Sequence, residues 1–224
     1  MPNRFLGQAV FLCHGQTKYT NVFPDLTEEG IKTIKKTAVL IPFINGNQNI
    51  AIFSSPKIRA LGSASIIAKE LDIRQKIIET PKLSAIEIRD KKRAKELFDE
   101  FFRKGIQAYS IAYGTDPRLE DGVIVEPRSA VQKRFFSFFS DLAKWFMANM
   151  NSPLRIVAVS HYEVLCHLVE SAFNLNYETD DPLEYGEIIM VSIYGGIKNT
   201  VIIEITFRKK TLKKIFDYKR ERFL

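Results

Sequence analysis

Apolar and polar positions along the 224-residue chain form two kinds of run that take turns. Short, unbroken apolar runs occur in "AVFLC" (9–13), "NIAIFSS" (49–55) and "LRIVAVSH" (154–161). Runs of this length without polar alternation predict strands buried on both faces. Between them the apolar positions recur at helical spacing. In "DLTEEGIKTIKKTAVLI", Ile31, Ile34 and Ala38 share one face, Thr27 is the N-cap, and Glu28 and Glu29 lie near the positive end of the helix dipole. Pro42 closes that helix. In "SSPKIRALGSASIIAKEL", Ser55 is the expected N-cap, Pro56 the first helical residue, and Ala60, Ala64, Ile67, Ala68 and Leu71 the buried stripe.

Further along, "QKIIET" and "LSAIEI" read as short strands, and residues 91–150 are helical and rich in Phe around the loop "YGTDPRLEDGVIVEPRS". A helix through "EVLCHLVESAF" follows the third strand, and "EIIMVSIYGGIKNTVIIEITF" reads as a hairpin turning at residues 195–199. Such alternation predicts an α/β fold: a mostly parallel central sheet with helices on both faces, formed by one domain over residues 1–224.

Charge changes this picture in one place. The net charge is +7, but residues 207–224 hold eight Lys or Arg against Asp217 and Glu221. A basic tail of this kind offers contacts to an anionic partner, such as RNA or a membrane surface; the simpler reading is a final element docked through Leu212, Ile215, Phe216 and Phe223. No apolar stretch approaches the roughly 18 to 20 residues of a membrane span. The N-terminal residues lack the apolar core of a signal peptide, and Cys13 and Cys166 form no stapling framework, so a reducing, cytoplasmic setting is expected.

The candidate chemistry lies at the strand ends. The first strand ends in Cys13, His14 and Gly15; the second in Ser54 and Ser55, with Arg59 on the following turn; the third in Ser160 and His161. In open α/β sheets the carboxyl ends of neighbouring strands form the ligand edge, beside helix N-termini that favour anions. Two imidazoles and a guanidinium there make a pocket for a tetrahedral anion, with a neutral His as nucleophile.

These residues resemble the histidine phosphatase superfamily, the phosphoglycerate-mutase-like proteins. "LCHGQT" is similar to its Leu-x-Arg-His-Gly-x-Thr signature, "PDLTEEG" to its Leu-Thr-x-x-Gly helix start, "SSPKIRALGSASIIA" to its Ser-Ser-Pro-x-x-Arg-Ala segment with Ser63 in place of Thr, and "VAVSHYEVL" to its Val-Ser-His-Gly segment. The resemblance implies a three-layer α/β sandwich with a helical cap insertion over about 91–150 that covers the site. It implies His14 as the residue that becomes phosphohistidine, Arg59 as phosphate clamp and His161 as charge stabiliser. Gly15, Thr17 and Ser54 would line the phosphate site with Cys13, and a small phosphorylated substrate or other phosphomonoester would be hydrolysed without metal or organic cofactor.

Three positions depart from the pattern. Cys13 replaces an Arg, and losing one charge-assisted phosphate contact costs on the order of a hundredfold in rate. Ala85 stands where the family has its proton-donating Glu; Glu87, two residues along, is the expected substitute, with Asp90 behind it. Tyr162 replaces the Gly after the second His. These losses keep a second expectation open, a non-catalytic anion-binding or protein-interaction module. A cysteine-phosphatase loop is disfavoured because Tyr19, not Arg, follows Cys13 at the required spacing. Arg89, Arg128 and Arg134 are expected in solvent, within reach of the missing guanidinium's place. His167 is expected as a core or surface residue. Neither the substrate nor an oligomeric state is specified by these motifs.

Overall fold

The first apolar run forms β1 (Phe5–Cys13), and the pleat of that strand organises the molecule. Phe11 and Cys13 point to one face and Val10 and Leu12 to the other, and all four are buried. A strand buried on both faces needs a layer on each side. The computed structural model describes residues 3–18, 25–42, 50–174 and 182–224; Tyr19 lies outside them.

On one face lie α1 (Glu28–Leu40) and α2 (Ile58–Glu70), which bury Ile34, Ala38, Ala60, Ala64 and Ile67 against Val10, Leu12 and Ile52. On the other lie α5 (Arg128–Ala148) and α6 (Tyr162–Phe173). Thr27 caps α1 as expected, its hydroxyl accepting from the Gly30 N–H at 2.9 Å. Helix α2 starts later than the sequence suggests: Lys57, not Ser55, is its N-cap, and the Ser55 hydroxyl is left for the site.

The sheet has eight strands in the order β3-β2-β4-β1-β5-β6-β7-β8. The parallel half comprises β3 (Ile78–Glu79), β2 (Ile50–Ser54), β4 (Leu154–Ser160) and β1. The rest, β5 (Ile188–Gly195), β6 (Thr200–Phe207), β7 (Lys210–Asp217) and β8 (Arg222–Phe223), runs antiparallel, and β5 is also antiparallel to β1. The expectation of a mostly parallel sheet is therefore corrected. Tight turns join the last four strands, and a tight turn can join only antiparallel neighbours, whereas parallel pairing needs a crossover helix. The hairpin expected around residues 195–199 is present. "LSAIEI" is not a strand: it holds the end of a 3-10 turn (Pro81–Leu83) and a single bridge from Ile88 to Val125.

Residues 91–150 divide into two parts. Helix α5 is a layer of the sheet, with Phe135 and Phe139 against Phe11 of β1 and Phe138 against Phe53 of β2. The helices α3 (Lys91–Phe102) and α4 (Ile106–Thr115) precede it; α3 packs on α4 through Phe98 and Phe101 against Tyr109, and α4 is bonded to α6. Three α4 side chains fasten them. The Tyr109 hydroxyl donates to Glu163 Oε1 (2.6 Å), Ser110 Oγ pairs with the Tyr162 hydroxyl (2.5 Å), and the Tyr113 hydroxyl donates to the Glu163 carbonyl (2.8 Å). Tyr162 is thus buried beneath α4.

The basic tail is folded into β7 and β8. Phe216 is buried against Phe139, but Leu212 and Ile215 stay exposed, contrary to the docking expected of them. Lysines on an outer strand also discourage pairing with other sheets. Among the described residues no helix is long and apolar enough to cross a membrane.

Candidate active site

Parallel register brings the three strand ends to one level. Cys13 pairs with Ser160 across β1 and β4, and Ser54 with Val159 across β2 and β4. The His14 N–H then donates to the Ser160 carbonyl (3.0 Å) and the Ser55 N–H to the Val159 carbonyl (3.0 Å), so the chain leaves each strand in a fixed direction. Gly15 is required by a close approach rather than by a turn: a Cβ there would lie 2.7 Å from the Gly30 carbonyl oxygen at the start of α1. Ser63 ties the loop down from α2, accepting from the Gly15 N–H (3.0 Å) and donating to the Arg59 carbonyl (2.8 Å).

The two histidines meet edge to face, ring centres 4.9 Å apart, and both are buried. His14 Nδ1 lies 2.7 Å from the Gly15 carbonyl oxygen, which can only accept, so Nδ1 carries the proton. Nε2 then presents its lone pair, and Arg59 Nε donates to it at 2.9 Å. Burial, and next the Arg59 charge, lower the pKa of His14 to about 3, which keeps the imidazole neutral. His161 is the residue before α6, and its Nε2 is 2.8 Å from Ser55 Oγ. Its pKa is also well below the usual histidine value, through burial first and then His14, Arg59, Arg134 and Lys57. The charge acting on both rings is positive. Two buried polar atoms at this edge, Thr17 Oγ1 and His161 Nδ1, have no hydrogen-bond partner among the described residues. From Thr17 a cleft of about 620 Å³ runs along the first turn of α1, past Leu26, Glu28 and Lys32. Neutral nucleophilic nitrogen, positive surroundings and unsatisfied buried polar atoms together suit a tetrahedral anion.

The remaining sequence candidates are placed as follows. Ser54 is buried at the end of β2, its hydroxyl donating to the Ser55 carbonyl (2.9 Å). Cys13 is buried on the α5 and α6 face; burial, followed by the Glu163 charge, pushes its thiol pKa far up. Glu87 is exposed, its backbone exchanging hydrogen bonds with Glu126, and these contacts do not bring it to the histidine pair. The arginines expected in solvent are clips. Arg89 donates to the Gly122 carbonyl, Arg128 pairs with Glu170, and Arg134 grips Glu126 and the Lys82 carbonyl.

Two residues of interest were missed by sequence reasoning. Glu163 is the carboxylate that weighs most on Cys13, the neighbour of His14, and its place two residues after His161 was the available signal. Tyr185 lies with its ring centre 5.6 Å from that of His14 and had no local signal, because long-range pairing brings it there.

Comparison with known proteins agrees with this fold. The family model of the histidine phosphatase superfamily (branch 1) matches residues 9–203. A search of curated protein sequences gave no match. Among solved structures, a mycobacterial glucosyl-3-phosphoglycerate phosphatase is 18% identical with TM-score 0.58, over 84% of this chain and 90% of that one. A putative alpha-ribazole-5'-P phosphatase from Escherichia coli is 17% identical with TM-score 0.58, over 94% and 96%. A phosphoserine phosphatase from Entamoeba histolytica is 19% identical with TM-score 0.54, over 85% and 95%. At these identities the structures speak to the fold alone. The match across most of the chain, together with paired histidines and an arginine at one sheet edge, makes this chain a member of branch 1 of the histidine phosphatase superfamily.

Proposed function

We propose that the protein is a phosphomonoesterase that passes the phosphoryl group of its substrate through Nε2 of His14 to water. One observation carries this reading: His14, Arg59 and His161 come from three separate strand ends and meet, with Arg59 Nε 2.9 Å from His14 Nε2 and the two rings 4.9 Å apart. In the first step the Nε2 lone pair attacks phosphorus, the N–P bond forms, and the P–O bond to the leaving alcohol breaks. The Gly15 carbonyl holds the Nδ1 proton and so fixes which nitrogen attacks. In the second step water gives a proton to the donor carboxylate and attacks phosphorus, and the N–P bond breaks, returning a neutral imidazole, the carboxyl group and inorganic phosphate.

Substrate binding is an exchange of partners. Arg59 turns from the imidazole to the phosphoryl oxygens, and His161 gives up Ser55 for the same group, so its charge-stabilising hydrogen bond is made to developing negative charge. The leaving oxygen takes its proton from a carboxyl group. Glu87 is the expected donor, and Glu163, on the first turn of α6 after His161, is the alternative. With Cys13 in place of a guanidinium, turnover about a hundredfold below that of a doubly clamped site is expected. Phosphatases of similar fold support a small phosphorylated substrate. Cys13 and Cys166, both buried and neither in a disulfide, support a cytoplasmic setting. We treat 1–224 as a single domain with its cap in α3 and α4.

A second reading, a non-catalytic anion-binding or interaction module, is favoured by one observation. Both imidazole Nε2 atoms already have internal partners, and residue 13 offers no charge. Quench experiments separate the two. Protein mixed with a labelled aryl phosphate and stopped in alkali retains base-stable, acid-labile phosphate if His14 is the acceptor, and His14→Ala retains none. Phosphate binding with neither label nor turnover supports the module instead.

A further inference from the structure

Among the described residues, Tyr185 is a ring at the site that remains at the surface. Tyr162 is buried under α4, with its hydroxyl on Ser110, whereas Tyr185 is 37% exposed while lying against His14, itself only 3% exposed. The turn that carries Tyr185 is held from three directions. The Gly186 N–H donates to the Cys13 carbonyl (3.0 Å), and the Cys13 N–H donates to the Glu187 carbonyl (3.4 Å). Thr37 of α1 donates its hydroxyl to the Gly186 carbonyl (2.8 Å), and Arg208 holds the Glu187 carboxylate with two hydrogen bonds of 2.5 and 2.8 Å. Gly186 has φ +71°, and a Cβ there would sit 2.8 Å from Thr33 Cγ2, so the turn admits no side chain at 186. Tyr185 is therefore a ring on a fixed base, clipped to the strand that presents the nucleophile.

We propose that Tyr185 is a specificity-determining residue of this site: its exposed face is the platform on which the leaving group of the ester packs, so planar aryl leaving groups are preferred to short alkyl ones. The inference rests on the phosphomonoesterase reading above. At attack the phosphorus lies about 3 to 3.5 Å from Nε2. His161 and Ser55 are fully buried beside the imidazole, whereas the Tyr185 ring, 5.6 Å from the imidazole centre, is exposed to solvent, so the rest of the ester extends past that ring. Aromatic packing there is worth about threefold to tenfold in affinity. The role uses the ring and not the hydroxyl.

The test uses the full-length protein with two non-hydrolysable ligands, phenylphosphonate and methylphosphonate, measured by calorimetry alongside kcat and KM for phenyl and methyl phosphate. Wild type is expected to bind phenylphosphonate about threefold to tenfold more tightly; Tyr185→Leu loses that preference, through KM rather than kcat, and Tyr185→Phe keeps it. Equal binding of both phosphonates by wild type, or an unchanged preference in Tyr185→Leu, overturns the inference and leaves the phosphate site standing. An equal loss of both ligands in a Tyr185→Leu protein that melts like wild type also overturns it, since the ring would then only shield His14. Binding of neither phosphonate by wild type removes the anion site itself and the inference with it.

Discussion

The molecule buries two histidine sites, and they differ in whether an anion accompanies the cations around them. At the sheet edge, Arg59 donates to His14, and the cations that bear on His161 are Arg59, Arg134 and Lys57. Beneath α4, His167 lies between the Tyr113 hydroxyl, 3.2 Å from Nε2, and Glu170, 3.4 Å from Nδ1, and Arg128 pairs with that carboxylate. Burial lowers the pKa of all three histidines. Only the second site supplies its own anion. A histidine beside a carboxylate and a phenol has its counter-charge built in and serves as a joint between cap and body. Histidines among cations have room for a negative group from outside. Identical side chains at equal depth therefore differ in function through their neighbours.

Substitutions at the first site are expected to cost most. His14→Ala removes the phosphoryl acceptor, and kcat for any ester that wild type turns over should fall on the order of 10⁴-fold or more. Arg59→Ala leaves the nucleophile without its clamp, and a loss of about 10² to 10³ in kcat is expected in the same assay. Activity unchanged in either variant would place the chemistry elsewhere.

Acidity acts on both sites through stability. His14 is neutral when folded down to a pKa of about 3, against an ordinary value of 6.5 in the unfolded chain. Between these values unfolding takes up a proton, so this contribution is intact above about pH 6.5 and lost as pH falls toward 3. His14 alone lowers stability by about 2 kcal/mol between pH 7 and pH 5. His161 and His167 act with the same sign. Urea titrations at the two pH values measure the sum, and constant stability would contradict the buried, neutral state.

Glu170→Gln sharpens the contrast from the other side. It weakens the bonds to Arg128 and His167, should destabilise by about 1 to 2 kcal/mol, and should leave kcat within about twofold; a large fall in kcat would erase the distinction between joint and site. The smallest expected response is at Cys13, whose thiol is buried and held protonated. It should resist thiol reagents until the protein unfolds, and rapid labelling of the native protein would contradict that environment.

How much the sequence reveals follows from how local each feature is. The strand ends at His14, Ser54 and His161 are legible because an apolar run meeting Gly, Pro or a helix start is a short-range pattern. Arg59 follows from its place one turn beyond such an end. The sheet's antiparallel half was obscured because a buried run has the same composition whichever way its neighbour runs. Helix α5 reads from sequence as part of the cap for a related reason: periodic Phe positions report that a face is buried and not what buries it, here Phe11 and Phe53. Leu212 and Ile215 were expected in the core because they are apolar, yet the outermost long strand leaves them uncovered. Tyr185 and Glu163 owe their importance to tertiary contacts that spacing along the chain does not encode.

The central claim is that His14, Arg59 and His161 enclose one tetrahedral oxyanion. A crystal structure with orthovanadate tests it most directly. The expected result is vanadium bonded to His14 Nε2, with the Arg59 guanidinium and the His161 ring hydrogen-bonded to its oxygens and Arg59 moved off the imidazole. Vanadate bound elsewhere, with Arg59 Nε still on His14 Nε2 in fully loaded crystals, would contradict the claim.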